Sequence, residues 1–196
     1  VNQLAGWRGV VDFISWVRPF GAWIFATASA LLGTHFWAMH LFLLLLRAVD
    51  AWLLFTLLRQ AAPAMELPAL AAALLFAVFP SFKQQPLALE YSLHFIALAL
   101  MLLSMLVMLR AVRGGRTSLP LTLLALLLSL NIFTIEYFVG QEMMRPLLLW
   151  LALRPHEAER RRLARRVLLN WLPYLLVFLT FLVWRVFFLK FPYYQP

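Results

Sequence analysis

The sequence contains no cysteine and few charged residues, and these two shortages exclude several classes of protein. Without cysteine there is no disulfide framework, no thiol nucleophile, no Cys-ligated metal and no c-type haem attachment motif. Only 13% of the 196 residues are charged, whereas a soluble domain has about 25%. In their place the chain has 64% hydrophobic residues and a mean hydropathy of +0.86, arranged in several long apolar runs. This composition predicts an all-α fold, that of a polytopic helical membrane protein.

The apolar runs predict four full membrane spans and three shorter helices. The segment 20–33 is about 14 residues, or roughly 21 Å as a helix, which is too short to cross a hydrocarbon core of about 30 Å. We therefore expect residues 1–35 to form an extracytoplasmic juxtamembrane segment and 36–196 to form the transmembrane helical domain. The predicted full spans are 36–59, 87–111, 119–138 and 168–189, and the predicted shorter helices are 20–33, 69–82 and 142–153.

The distribution of arginine predicts the orientation. Nine of the seventeen basic residues lie in two places, around 110–116 and along 154–166. Cytoplasmic loops carry an excess of Lys and Arg, so both places are predicted to be cytoplasmic. The protein itself is predicted to be integral to the cytoplasmic (inner) membrane and to cross it several times. We expect 154–166 to form a cytoplasmic basic helix on anionic lipid. Because the net charge of +9 lies in loops that flank the membrane, it favours lipid partners and not nucleic acid.

The same orientation brings polar residues from four segments to one level at the outer surface. Carboxylates beside Arg, Lys and Gln at an apolar boundary are suited to a general base, a divalent-metal ligand and a phosphate clamp. An ordinary hydrated loop layer is the alternative. We expect one shared cavity at the extracytoplasmic boundary to be lined by at least three of the following six residues: Arg18, Lys83, Glu90, His94, Glu136 and Arg145. The candidate catalytic residues are Asp12, Glu90 and Glu136, and the candidate substrate-binding residues are Arg18, Lys83, Gln84, His94 and Arg145.

Two other polar features lie within predicted spans. Arg47 and Asp50 are three residues apart, which favours a local ion pair or, alternatively, a relay or ligand site. We expect Arg47 to face protein and to reach Asp50 or a polar group of another helix. His94 is the best candidate for ligating a pigment or haem metal. Intramembrane histidines more often hydrogen-bond a neighbouring helix, so pigment or haem ligation is the less favoured interpretation.

Two stretches resemble GT-C fold glycosyltransferases. The first is "VRPFGAWIFATASALLGTHFWAMHLFLLLLRAVDAWLLFTLL", which is similar to the region after the first extracytoplasmic loop of those enzymes, with an Arg-Pro element, a short juxtamembrane helix and the second span. The second is "AAALLFAVFPSFKQQPLALEYSLHFIALALMLLSMLVML", which resembles their next hairpin. The resemblance covers about residues 16–111 and is closest to protein-mannosyltransferase-like members.

The resemblance implies a membrane enzyme that takes sugar from a polyprenyl-phosphate donor at the extracytoplasmic face. The essential acid of that family lies in the loop after the first span, commonly as an Asp-Asp or Asp-Glu pair. This chain has a lone acid, Asp12, in the corresponding loop, so we expect a partial or degenerate member. The rival prediction is a non-enzymatic subunit of a larger membrane complex, such as a photosynthetic or respiratory complex, with other membrane subunits as its partners.

Overall fold

The computed structural model describes residues 19–32, 35–79, 88–112 and 117–188. In these ranges the chain is helical and contains no strand, which confirms the all-α prediction. Short 3-10 helices connect or extend the α-helices at Pro63–Met65, Leu130–Phe133, Glu136–Met143 and Arg154–His156. The α-helices are α1 (Pro19–Leu32), α2 (Phe36–Ala61), α3 (Glu66–Val78), α4 (Ala88–Ala111), α5 (Leu119–Ser129), α6 (Met144–Leu153) and α7 (Arg160–Val183).

Three helices are long and apolar enough to cross a membrane: Phe36–Ala61, Tyr91–Ala111 and Arg160–Phe188. The last of them is α7 together with a π-helical turn, Trp184–Phe188. These helices agree with three of the four predicted full spans and support a membrane protein. At the amino end, α1 has 14 residues, as expected for a helix that is too short to be a span.

The predicted fourth span, 119–138, is not a single α-helix. Helix α5 ends at Ser129, and the chain continues as a 3-10 helix to Phe133. The Ser129 hydroxyl donates to the Leu126 carbonyl at 2.7 Å, and the Asn131 amide donates to the Leu128 carbonyl at 2.6 Å. Such local side-chain bonds compete with the i to i−4 pattern of an α-helix. The polar sequence Ser129 to Asn131 therefore tightens and ends the helix that the apolar run predicted.

Helix α4 is the centre of the bundle. Of its most apolar 18 residues 67% are buried, against 22% in α2 and 17% in α7. Helices α2 and α4 run in the same direction, because Leu43 packs with Phe95 near their starts while Arg59 and Leu109 line one cavity near their ends. The bundle thus has two ends, which we call the His94 end and the Arg110 end.

The segment 136–153 crosses the bundle from the His94 end to the Arg110 end. It consists of a 3-10 helix of 8 residues followed by α6 of 10 residues. With a rise of about 2.0 Å per residue in a 3-10 helix and about 1.5 Å in an α-helix, the two together reach roughly 31 Å. The predicted partial span 142–153 is therefore the part nearer the Arg110 end of a longer crossing, which begins in a polar sequence at Glu136.

The basic segment 154–166 differs from the single cytoplasmic helix that was expected. Arg154–His156 form a 3-10 turn, residues 157–159 are not helical, and α7 begins at Arg160. Glu159 has an extended backbone (φ −84°, ψ 116°), which separates the two helical pieces. Residues 160–166 are consequently the first two turns of the helix Arg160–Phe188, which is long and apolar enough to cross a membrane.

Candidate functional site

Arg145 is enclosed in the core of the bundle. Its side chain is 0% exposed and that of its partner Glu142 is 4% exposed. The Arg145 Nε donates to one oxygen of the Glu142 carboxylate, and Nη2 donates to the other at 2.9 Å. This two-point contact matches the fork of the guanidinium to the two oxygens of a carboxylate, the strongest form of ion pair.

The remaining contacts of Arg145 tie three other helices to α6. Its Nη2 donates to the Ser104 hydroxyl of α4 at 3.0 Å, and that hydroxyl donates to the Ala125 carbonyl of α5 at 2.7 Å. Its guanidinium carbon lies 4.5 Å from the centre of the Tyr174 ring of α7. The thioether sulfurs of Met101 and Met108 accept weakly at 3.7 Å and 3.8 Å. Arg145 of α6 thus contacts α4 and α7 directly, and α5 through Ser104.

Arg145 does not lie at the level where it was expected. It contacts Ser104, which is fourteen residues after Glu90 in α4, or roughly 21 Å along the helix. The 3-10 segment carries the chain this far into the bundle before α6 begins. The expectation that Arg145 lies beside Glu90 and His94 at the outer boundary is therefore wrong in its geometry.

A second polar cluster lies at the His94 end. The His94 ring stacks on Tyr91 at 5.0 Å and on Tyr137 at 5.2 Å, with interplanar angles of 23° and 27°. Next to Tyr137 in the chain, Glu136 accepts from Arg185 of the π-helical turn at 3.2 Å. These two side chains are 30% and 24% exposed. The neighbouring residues Glu136 and Tyr137 thus take part in a half-buried ion pair and in an aromatic stack, respectively.

Most of the other predicted site residues lie outside the part of the chain that the structure describes. Asp12, Arg18, Lys83 and Gln84 lie outside the described residues, and of Glu90 the structure describes only its place in the first turn of α4. The shared cavity therefore stays a prediction. Among the described residues no group of three His, Asp or Glu side chains is placed to hold a metal ion.

Arg47 and Asp50 do not form the expected ion pair. The Arg47 Nη2 donates instead to the carbonyl of Phe79, the residue after α3, at 3.3 Å. This confirms that Arg47 reaches a polar group of another helix. Asp50 is 0% exposed, and within the described part of the chain neither of its carboxylate oxygens has a hydrogen-bond partner.

Ser104 and Tyr174 are important contacts that the sequence did not single out. Each is a polar side chain inside a long apolar run, and this was the available signal. An isolated serine or tyrosine is common in membrane helices, so the signal alone does not separate them from others.

Comparison with known proteins adds no relative to this description. No protein-family model, curated protein or solved structure matches the chain significantly.

Proposed function

We propose that the chain is an integral inner-membrane protein resembling part of a GT-C glycosyltransferase, with its catalytic layer at the His94 end. In this proposal the His94 end is extracytoplasmic and the Arg110 end is cytoplasmic. The observation that carries it is the polar break at 130–143, where the α-helix gives way to 3-10 helices beside His94. Irregular backbone at membrane depth is tolerated only where it is buried in protein or lines a cavity. Such a break is either packed in protein or faces a cavity, and in this proposal it faces the catalytic cavity.

The side chains at the His94 end have the chemistry that sugar transfer from a polyprenyl phosphate requires. The reaction breaks the bond between the sugar and the phosphate, joins the sugar to an acceptor hydroxyl, and moves the hydroxyl proton to a base. Glu136 or Glu90 is the proposed base, and Arg185 is the proposed contact for the phosphate that leaves. The faces of Tyr137 and His94 provide an apolar surface with polar edges for the sugar ring.

The remaining predicted residues belong to the same proposal. Asp12, Arg18, Lys83 and Gln84 are the proposed further ligands, on segments that adjoin this end in the sequence. Arg145 is assigned to the core, because its guanidinium is already bound by Glu142 and Ser104.

The test is transfer of radiolabelled sugar from a polyprenyl-phosphate donor in membrane vesicles that contain the protein. We expect Glu136→Gln to lower the transfer rate by about 100-fold or more, as loss of a general base does. Glu159→Gln is the matched control, because Glu159 is an exposed carboxylate that also pairs with an arginine. Equal activity of the two variants, or no transfer by the unaltered protein, would contradict the proposal.

A subunit of a larger membrane complex is the second candidate. It is favoured by the low burial of α2 and α7, where 22% and 17% of the most apolar residues are covered. Two tryptophans of α2, Trp37 and Trp52, are 71% and 62% exposed. Crosslinking from these positions in native membranes separates the two candidates, because a complex subunit gives a discrete protein adduct and a lipid-facing helix does not.

A further inference from the structure

A cavity of about 660 Å³ opens at the Arg110 end, far from the proposed catalytic layer. It lies between the last turns of α2, α4 and α6 and the start of α3. Its volume falls in the range of about 300–1,000 Å³ that is typical of ligand pockets. The polar side chains that line it are Thr56, Arg59, Gln60, Glu66, Arg110 and His156.

The charged groups of this cavity are mostly basic. Arg59 lies 3.7 Å from Glu66 and over the Phe55 ring at 5.2 Å, so its guanidinium is partly engaged. Arg110 makes no ion pair or hydrogen bond within the described ranges of the chain. His156 adds a third basic side chain. One carboxylate therefore faces two arginines and a histidine.

The helix ends around the cavity make anion binding there depend on these arginines. Helices α2, α4 and α6 all end at the cavity, and the carboxyl end of a helix carries partial negative charge. Without its arginines the cavity would repel an anion. With them it offers guanidinium forks, which match a phosphate group better than a single point charge does.

The walls between the polar groups are apolar, formed by Ala61, Leu109, Val112, Leu151 and Ala152. Basic pockets between membrane helices bind the phosphate groups of lipid heads. We propose that this cavity is a specific binding site for a phosphate group, carried by an anionic lipid head or by a small soluble phosphate. The site does not depend on the proposed transferase activity or on which membrane face the cavity occupies.

The rival explanation is diffuse attraction by the many arginines at this end. A basic residue near an anionic membrane contributes on the order of 1 kcal/mol, or about fivefold in affinity, wherever it lies. A direct guanidinium contact in a cavity is worth more, about tenfold to 100-fold. A pair of variants with equal charge therefore separates a site from a charged surface.

The experiment measures cardiolipin and phosphatidylglycerol bound to the full chain in detergent micelles by native mass spectrometry. We expect one saturable lipid, with affinity lowered about tenfold or more by Arg110→Gln. Arg160→Gln, an exposed residue of the same end outside the cavity, should lower it by no more than about fivefold. Equal losses in the two variants, or binding that does not saturate, would overturn the proposal.

A second pair of variants and a competition with inorganic phosphate complete the experiment. Glu66→Gln removes the cavity's carboxylate and should tighten binding about threefold or more, whereas Glu159→Gln should change it less than about twofold. Equal effects of these two variants would also count against the site. Displacement of the lipid by millimolar inorganic phosphate would identify a small phosphate as the ligand, and retention of the lipid would identify the lipid head.

Discussion

Replacement of Arg145 by methionine tests whether the buried cluster holds the bundle together. Arg145→Met leaves the buried carboxylate of Glu142, whose side chain is 4% exposed, without its two guanidinium bonds. Breaking a buried ion pair by removing one partner costs about 3–5 kcal/mol, because an uncompensated charge remains inside the protein. We expect this loss in the free energy of unfolding, measured by reversible unfolding in mixed micelles of a mild detergent and dodecyl sulfate.

The chain contains a matched control for this prediction. Arg162 and Glu159 have the same three-residue spacing, but their side chains are 73% and 52% exposed. An exposed pair is worth about 0–1 kcal/mol, so Arg162→Met should have little effect. Similar losses for Arg145→Met and Arg162→Met would refute the reasoning.

A double variant separates the ion pair from the packing of the arginine stem. Glu142→Gln with Arg145→Met removes both charges, and we expect it to unfold with a free energy at least about 2 kcal/mol above that of Arg145→Met alone. Additive losses in the double variant would show that packing, and not charge, makes Arg145 important.

Two further substitutions test other parts of the structure. Asp50→Leu replaces a buried carboxylate that accepts no hydrogen bond from the described residues by a side chain of similar branching, so we expect the free energy of unfolding to rise by about 1–3 kcal/mol. Asp50→Asn keeps the polar group and should show no such gain, and a loss above about 1 kcal/mol in Asp50→Leu would contradict the expectation. Gly140→Ala should be neutral or stabilise by about 0.4–1 kcal/mol, because a Cβ there meets nothing within 4 Å and alanine restricts the unfolded chain. A clear loss of stability in Gly140→Ala would show that the 3-10 segment needs glycine.

The long helices could be predicted from the sequence because their apolar runs are long and contain few polar residues. The run 36–59 predicted α2 to within two residues of its end, just before Pro63. The run 119–138 misled, because Ser129 and Asn131 take carbonyls that a continuing helix would use. The three-residue spacing of Arg47 and Asp50 indicated that their side chains could meet, but Arg47 donates to the Phe79 carbonyl instead.

The depth of a residue was less predictable than its helix. Arg145 was expected near the outer surface because the parity of the loops placed the start of the 142–153 segment there. The crossing instead begins at Glu136, so Arg145, further along it, lies in the core beside Ser104. Glu136 stays near the His94 end. The residue at which a crossing begins thus decides which polar residues share a level, and the apolar run 142–153 did not locate that residue.

The extended winding of Glu136–Met143 also stores length. If these eight residues rewound as an α-helix, the segment would shorten by about 4 Å. The end of this segment that adjoins α6 is anchored, because Arg145 binds four side chains of α4 and α7 as well as Glu142. The shortening would therefore be taken up at the other end, at the partly exposed Glu136–Arg185 contact of 3.2 Å. A change of winding would therefore move Glu136 and Tyr137 relative to His94 of α4.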